Sequence, residues 1–248
     1  MTVLVTRPYP DNEATAATLR ARGVDVLLAP MLRFEPLEFE YDTDAKFDAL
    51  MATSANAVRA VADQPEIARL RELPLFAVGR HTAKAARDGG FPNVIDADGD
   101  ASALRERVTE TLNKGKAGRA ATLLYLAGAD LARDLASELG ERGFTVVTQT
   151  TYRMVPVTKL PAEVSEAIAA HRIDAVLHYS RRSARAFVDA VRDAGVEISA
   201  LALPQCCLSD AVGMILRDAG AMQVSASSAP NEDALFDGLM RALGRVSR

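Results

Sequence analysis

IDAVLHYSRRSARAF, residues 173–187, is the stretch on which the fold turns. The apolar run Ala175–Leu177 has strand length and stops at Ser180; from there Ala184, Phe187, Val188 and Val191 recur at helical spacing. A short apolar run that passes directly into an amphipathic helix is the repeating element of a parallel α/β sheet. A second copy stands earlier as FDALMATSANAVRAV, residues 47–61, aligning without a gap from Phe47 on Ile173 to Val61 on Phe187. The stretch is therefore half of a repeat.

Working outward, the same rhythm runs the length of the chain. TVLVT, VDVLLA, FDALMAT, PLFAV, NVIDA, ATLLYLA, FTVVTQ, IDAVLHY, QCCLS and MQVSAS read as strands. The segments between them have helical periodicity, as in Val212, Ile215, Leu216 and Ala219, or Leu131, Leu135 and Leu139. RGVDVLLAP ending at Pro30 parallels RGFTVVTQT ending at Thr150, and Arg33 and Pro36 match Arg153 and Pro156 in the same register. AKAARDGGFPNV likewise matches MILRDAGAMQV through Arg87 and Arg217. The units follow the order A, B, A′, B′, with two strands in each A and three in each B. Five strands per pair predict two similar flavodoxin-like α/β domains. Either the chain is cut in sequence at KGKAGR, residues 114–119, or the Pro-containing segments 31–42 and 150–158 are paired connections between lobes; the repeats allow both.

Composition excludes several classes of function. With 49% hydrophobic and 25% charged residues the chain builds an ordinary globular core, and it contains no uninterrupted apolar run of the roughly 18 residues a membrane span needs. A net charge of −4, no tryptophan and 5% aromatics argue against nucleic acid as a partner. KGKAGR reads as a solvated loop. Cys206 and Cys207 are adjacent in an apolar strand, which suits neither a disulfide framework nor a metal site, and His81, His171 and His178 lie in separate segments. The expectation is a cytoplasmic protein with no metal and no cofactor. No Walker A loop, G-x-G-x-x-G fingerprint, G-x-S-x-G elbow or paired-carboxylate signature is present.

The strand ends are more informative. VTRPYPDN, ATSANAV, AVGRHTA, LAGADLAR, YSRRSAR, LSDAVGM and SAPNEDA each carry Ser, Thr, Gly, Asn or Asp where a strand gives way to a helix. Ser54, Ser180 and Ser209 or Asp210 read as N-caps, and Pro230 as a first helical residue. Capping alone accounts for a serine at one such position. Seven of them, spread over both repeat halves, point to a cleft whose free backbone N–H groups collect a ligand with several acidic groups.

Taken in order, VLVTRP, the Pro-containing link, FDALMATSANAV, FAVGRHTAKAARDGGF, LYLAGADLARDLASELGERGFTVVTQTTYR, IDAVLHYSRRSARAF, CLSDAVGMILRDAG and ASSAPNEDALFDGL resemble the uroporphyrinogen-III synthase family over nearly the whole chain. The resemblance implies a discontinuous first domain, residues 1–34 plus 158–248, a second domain, 42–150, and a two-segment interdomain linker, 35–41 and 151–157. It also implies cyclisation of the linear tetrapyrrole hydroxymethylbilane, with loss of water and inversion of ring D, by a monomer that takes its substrate from the upstream enzyme. No cofactor is implied. Tyr152 matches the family's tyrosine near the link and is the candidate donor to the departing hydroxyl, since a phenol is protonated at neutral pH. Arg7, Thr53, Ser54, Asn56, Gly79, Thr82, Gly128, Ser180, Ser183 and Ser209 match substrate-facing segments, and Arg181 and Arg182 are expected to attract carboxylates at the cleft mouth. The turn LSDA departs from relatives that carry threonines there, which weakens the roles of Ser209 and Asp210. The competing reading is a two-lobed ligand-binding or regulatory module without turnover; a glycosyltransferase-like enzyme requires larger lobes and a nucleotide-sugar site.

Overall fold

The quoted stretch folds as strand β9, Ala175–His178, followed by helix α7, Arg181–Asp193; Ala184, Phe187, Val188 and Val191 are all buried, as their spacing requires. The computed structural model describes residues 1–42, 44–112, 120–131 and 133–246, so the basic cluster at 114–119 lies outside the described residues. The chain divides into two units, Met1–Arg33 with Val155–Arg248, and Phe34–Met154.

The first unit is built on β1 (Thr2–Val5), β2 (Asp25–Leu28), β9, β10 (Gln205–Cys207) and β11 (Val224–Ala226), in the order β11-β10-β9-β1-β2 with every neighbouring pair parallel. Successive residues of a strand face opposite sides of the sheet, and here both sides are covered. Leu4 and Val176 pack with Phe187, Ala190 and Val191 of α7 on one side. On the other, Val3, Val5, Ala175 and Leu177 meet Leu19 of α1 (Asp11–Ala21) and Leu235, Phe236 and Leu239 of α10 (Glu232–Val246). Each such Leu or Phe removed from water contributes about 1.5–3 kcal/mol.

The second unit holds β4 (Ala49–Ala52), β5 (Leu75–Ala77), β6 (Val94–Asp96), β7 (Thr122–Gly128) and β8 (Thr145–Pro156), in a sheet ordered β3-β8-β7-β4-β5-β6 that β3 (Leu32–Pro36) extends at its edge. Helices α2 (Ala55–Ala62) and α3 (Arg80–Asp88) cover one face, and α4 (Ala101–Leu112) and α5 (Leu135–Gly140) the other. Read from β6, this order places β6-β5-β4-β7-β8 where the first sheet has β11-β10-β9-β1-β2. Sheet membership thus settles what the repeats left open: the N-terminal A shares a sheet with B′, and B with A′.

Two details differ from the sequence-based expectation. The proposed linker segments are in part strand: β3 is a sixth strand in the second sheet, and β8 runs twelve residues, through most of 151–157. The reason is the need to pair backbone polar groups, met here by Leu37 N–H donating to Thr151 O at 2.8 Å and flanked by an Arg153–Glu35 ion pair at 2.7 Å. The helix expected from Leu131 onward begins only at Leu135, capped by Asp134, and Leu131 is exposed.

His178 closes β9 in a fully buried position. Gln205 Nε2 donates to Ala200 O and Leu203 O, so its Oε1 is left to accept from His178 Nε2 at 2.9 Å, while the edge of the Phe187 ring packs on the imidazole. Burial lowers the His178 pKa from 6.5 to about 4, against the opposing pull of Gln205. A histidine harder to protonate folded than unfolded gives the unfolded state the excess of bound protons below pH 6.5, so its contribution to stability is complete above that pH and is lost on acidification. Urea unfolding between pH 7 and 4 is expected to show a loss of about 3 kcal/mol from this residue, levelling off below pH 4, and His178→Gln to remove that component.

Candidate active site

Because the strands of each sheet run parallel, their carboxyl ends and the helix starts that follow lie along one edge. In the second unit that edge carries Thr53 and Ser54 after β4, Gly79 after β5 and Gly128 at the end of β7. Ser54 is extended at φ −146° and accepts from Asn56 N–H at 3.2 Å, capping α2; Gly79 is the N-cap of α3. The Asn56 amide is engaged on both sides, with Met154 Sδ at 3.7 Å and Arg59 donating at 2.9 Å. Thr82 lies on the buried face of α3 with Ala83, Ala85 and Ala86, so its side chain belongs to the core and not to the edge.

The point where the strand order reverses, between β4 and β7, is where open α/β sheets bind ligands. A hydrogen bond crosses it: Thr53 Oγ1 lies 2.8 Å from Tyr125 Oη. Burial pushes the Tyr125 phenol above its ordinary range, the Thr53 bond opposes this, and the neighbouring Tyr152 adds to the rise. Tyr152, on β8, rests its ring tip over Gly128. A Cβ at residue 128 would lie 2.7 Å from Tyr152 Cζ and 2.8 Å from its Oη, so this approach needs glycine. Phe34 packs on the other flank of the ring at 5.7 Å between centroids. Thr53, Gly128 and Tyr152 are thus gathered at one place, with Tyr125 as a fourth member that the sequence reading missed; its only signal was a tyrosine inside the apolar run TLLYLAG.

In the first unit the corresponding reversal lies between β1 and β9. Ser180 and Ser183 form a reciprocal capping box at the start of α7, each hydroxyl accepting the other's backbone N–H at 3.1 and 3.2 Å. Ser183 is fully buried, so its role is to hold the helix start. Ser209, the repeat equivalent of Gly79, caps α9 (Asp210–Asp218) by conformation alone, with no hydrogen bond from its side chain to the helix; Asp210 pairs with Arg217 at 2.8 Å. Arg181 and Arg182 are exposed in the first turn of α7. Pro230 sits one residue before the cap of α10, whose Asn231 Oδ1 accepts from Ala234 N–H, and is not its first helical residue.

Arg7 departs most from expectation. Its guanidinium meets Glu232 Oε1 at 2.8 Å and Asp11 at 3.4 Å and lies over the Tyr179 ring at 4.7 Å. The same Glu232 oxygen accepts from the buried Thr15 hydroxyl at 2.5 Å and from Tyr179 Oη at 2.9 Å. Burial, then the Glu232 charge, raise the Tyr179 pKa. Arg7 is therefore already neutralised by two carboxylates, and the first unit's reversal point is filled by its own side chains. The residue separations that build this cluster put it beyond sequence reading. Cys206 and Cys207 are buried thiols, with Cys207 pushed up to about 12 by burial, and neither is a nucleophile.

The sequence model of the family described as uroporphyrinogen-III synthase HemD matches residues 13–237. The chain belongs to that family. Its fold is similar to the crystal structure of uroporphyrinogen-III synthetase from Helicobacter pylori 26695, at TM-score 0.66 and 17% identity over 97% of this chain and 98% of the other. It is also similar to a mutant uroporphyrinogen III synthase from the extremely thermophilic bacterium Thermus thermophilus, at TM-score 0.55 and 19% identity over 99% of each. No curated protein matched it by sequence. No helix among the described residues is long and apolar enough to cross a membrane.

The buried acceptor in the first unit is the part of this arrangement most exposed to mutation. Glu232→Ala leaves the Thr15 and Tyr179 hydroxyls and Arg7 without their shared oxygen and is expected to lower unfolding free energy by about 1–3 kcal/mol. Glu232→Gln, which keeps an acceptor, is expected to lose less; urea titration of the two variants makes the comparison.

Proposed function

We propose that the chain is a hydro-lyase that closes hydroxymethylbilane to uroporphyrinogen III, serving tetrapyrrole biosynthesis as a cytoplasmic monomer. The observation that carries this reading is the family match over residues 13–237, with the phenol of Tyr152 held at a strand-end edge beside two helix N-termini. The substrate bears acetate and propionate groups on every ring. The starts of α2, α3, α7 and α9 supply backbone N–H groups and the positive ends of helix dipoles to such groups. Ser54, Gly79, Ser180 and Ser209 stand at those starts, each only partly buried.

The electron-rich terminal pyrrole drives cleavage of its own C–O bond, so the protein needs to deliver a proton to the departing hydroxyl, which leaves as water. Tyr152 is the group assigned to that transfer, with the Thr53–Tyr125 pair beside it. Ring D then bonds through its substituted carbon, passes through a spiro intermediate and is inverted on closure. Holding the chain in the conformation for that attack is a matter of orientation.

Hydroxymethylbilane generated in place by a coupled enzyme, with the product isomers separated, tests the reading. The inverted isomer is expected in excess over the uninverted one; the uninverted isomer alone, at the spontaneous rate, rejects it. Tyr152→Phe is expected to lower kcat about 10²-fold with KM changed less than about twofold, as loss of a proton donor does.

A further inference from the structure

The geometry points to Thr151 as the residue that positions Tyr152, through a β-bulge whose one extra residue carries the phenol from one face of the sheet to the other. The inference rests on the proposed role of Tyr152 for its effect on rate, but not for its effect on structure.

Along β8 the pairs Val146–Leu123, Thr148–Tyr125 and Thr150–Ala127 follow strict alternation. Leu123, Tyr125 and Ala127 all belong to the core under α4 and α5. Continued alternation puts Tyr152 on that same side. The next pair, however, is Tyr152 with Gly128, and Thr151 has no partner of its own in the register. Gly128 follows Leu124 and Leu126, which face α2 and α3, and the Tyr152 ring packs with that cluster. A single inserted residue reverses the side of everything after it, and a bulge is the device that re-aims a side chain without changing the strand's neighbours.

Thr151 is held on three sides. It is fully buried, its Oγ1 lies 3.2 Å from Ala127 O on β7 and 3.3 Å from Ala57 O in the first turn of α2, and its carbonyl accepts from Leu37 N–H at 2.8 Å. One hydroxyl therefore ties the bulge to the strand that ends in Gly128 and to the helix that Ser54 caps. Removing it frees the bulge to relax and the ring to leave its seat on Gly128.

Thr151→Val keeps the branched shape and removes the hydroxyl; Thr151→Ser keeps the hydroxyl. The α-protons of Gly128 lie under the Tyr152 ring, so their NMR shifts report its position without any need for activity, and Tyr152→Leu supplies the shift with the ring gone. In Thr151→Val these shifts are expected to move toward the Tyr152→Leu values, and in Thr151→Ser to stay at the wild-type ones. Formation of the inverted isomer is expected to fall about tenfold to 10²-fold in kcat for Thr151→Val, with little change for Thr151→Ser and little further loss when Thr151→Val is added to Tyr152→Phe. Unmoved Gly128 shifts in Thr151→Val overturn the inference, as does a loss that adds in full to that of Tyr152→Phe. A moved ring with unchanged kcat upholds the positioning and defeats instead the proton-donor role of Tyr152. If Thr151→Val does not fold, Thr151→Cys, of similar volume and with a weak S–H donor, is read by the same criteria.

Discussion

The constraint from which the molecule's chemistry follows is parallel pairing. A parallel sheet sends all its strands the same way, so every strand-to-helix turn emerges at one edge and every helix there begins with unpaired N–H groups. In the first unit β9 and β10 lead to the starts of α7 and α9; in the second β4 and β5 lead to α2 and α3. The repeat equivalence of Ser54 with Ser180, and of Gly79 with Ser209, is therefore an equivalence of position within the sheet as well as of sequence. Nothing further is needed to place four helix N-termini on strand-end edges, and no acidic or basic motif has to be present in the sequence for an anion-receptive edge to exist.

The two units use their reversal points differently. In the first, Glu232 reaches from α10 to accept from Arg7, Thr15 and Tyr179 through one oxygen, so the polar groups there satisfy one another. In the second, Thr53 and Tyr125 form a smaller pair, and the place next to it is taken by a ring resting on a glycine. The contrast assigns the reactive role to the second unit on physical grounds: a phenol at a partly open edge can give up a proton to a ligand, whereas one bonded to a buried carboxylate under a guanidinium is already committed.

Much of this was legible in the sequence, and what was not has identifiable causes. The strand rhythm, the buried faces of α7 and α9 and the caps at Ser54 and Ser180 follow from local pattern, which reads periods of two and 3.6 directly. Sheet membership did not, because A and A′ carry equivalent patterns and either could pair with B. Strand β3 escaped because LRFEP combines an edge position, two charges and a proline, all of which depress the strand signal. The helix expected from Leu131 rested on three leucines that fit a helical period, although only Leu135 and Leu139 are buried. Ser183 and Thr82 illustrate a different limit, since composition marks them as polar but not as inward-facing. Arg7 and Thr151 lie beyond local pattern altogether: the first is decided by a partner at the far end of the chain, and the second by a register change that leaves no trace in residue type.

Carboxylate recognition and ring closure place unequal demands on these groups. On the proposed reaction, substrate and product carry the same acetates and propionates, so contacts to them lower the energy of bound substrate, transition state and product alike and leave kcat unchanged. Helix N-termini suit that task, because each acts as about half a positive charge and holds an anion without the full desolvation of a buried cation. Selectivity for the inverted isomer has to come from contacts that differ between the two closures, and those are contacts to the departing hydroxyl and to ring D. The structure offers few fixed groups of that kind: Tyr152 on its glycine seat, and the Thr53–Tyr125 pair beside it. A displacement of the phenol of the order of 1 Å is enough to cost about 10²-fold in rate. The tolerance of the reaction to change is accordingly wide along the helix starts and narrow at one bulge in β8, where a strand that serves mainly to complete a sheet also fixes where a proton can be delivered.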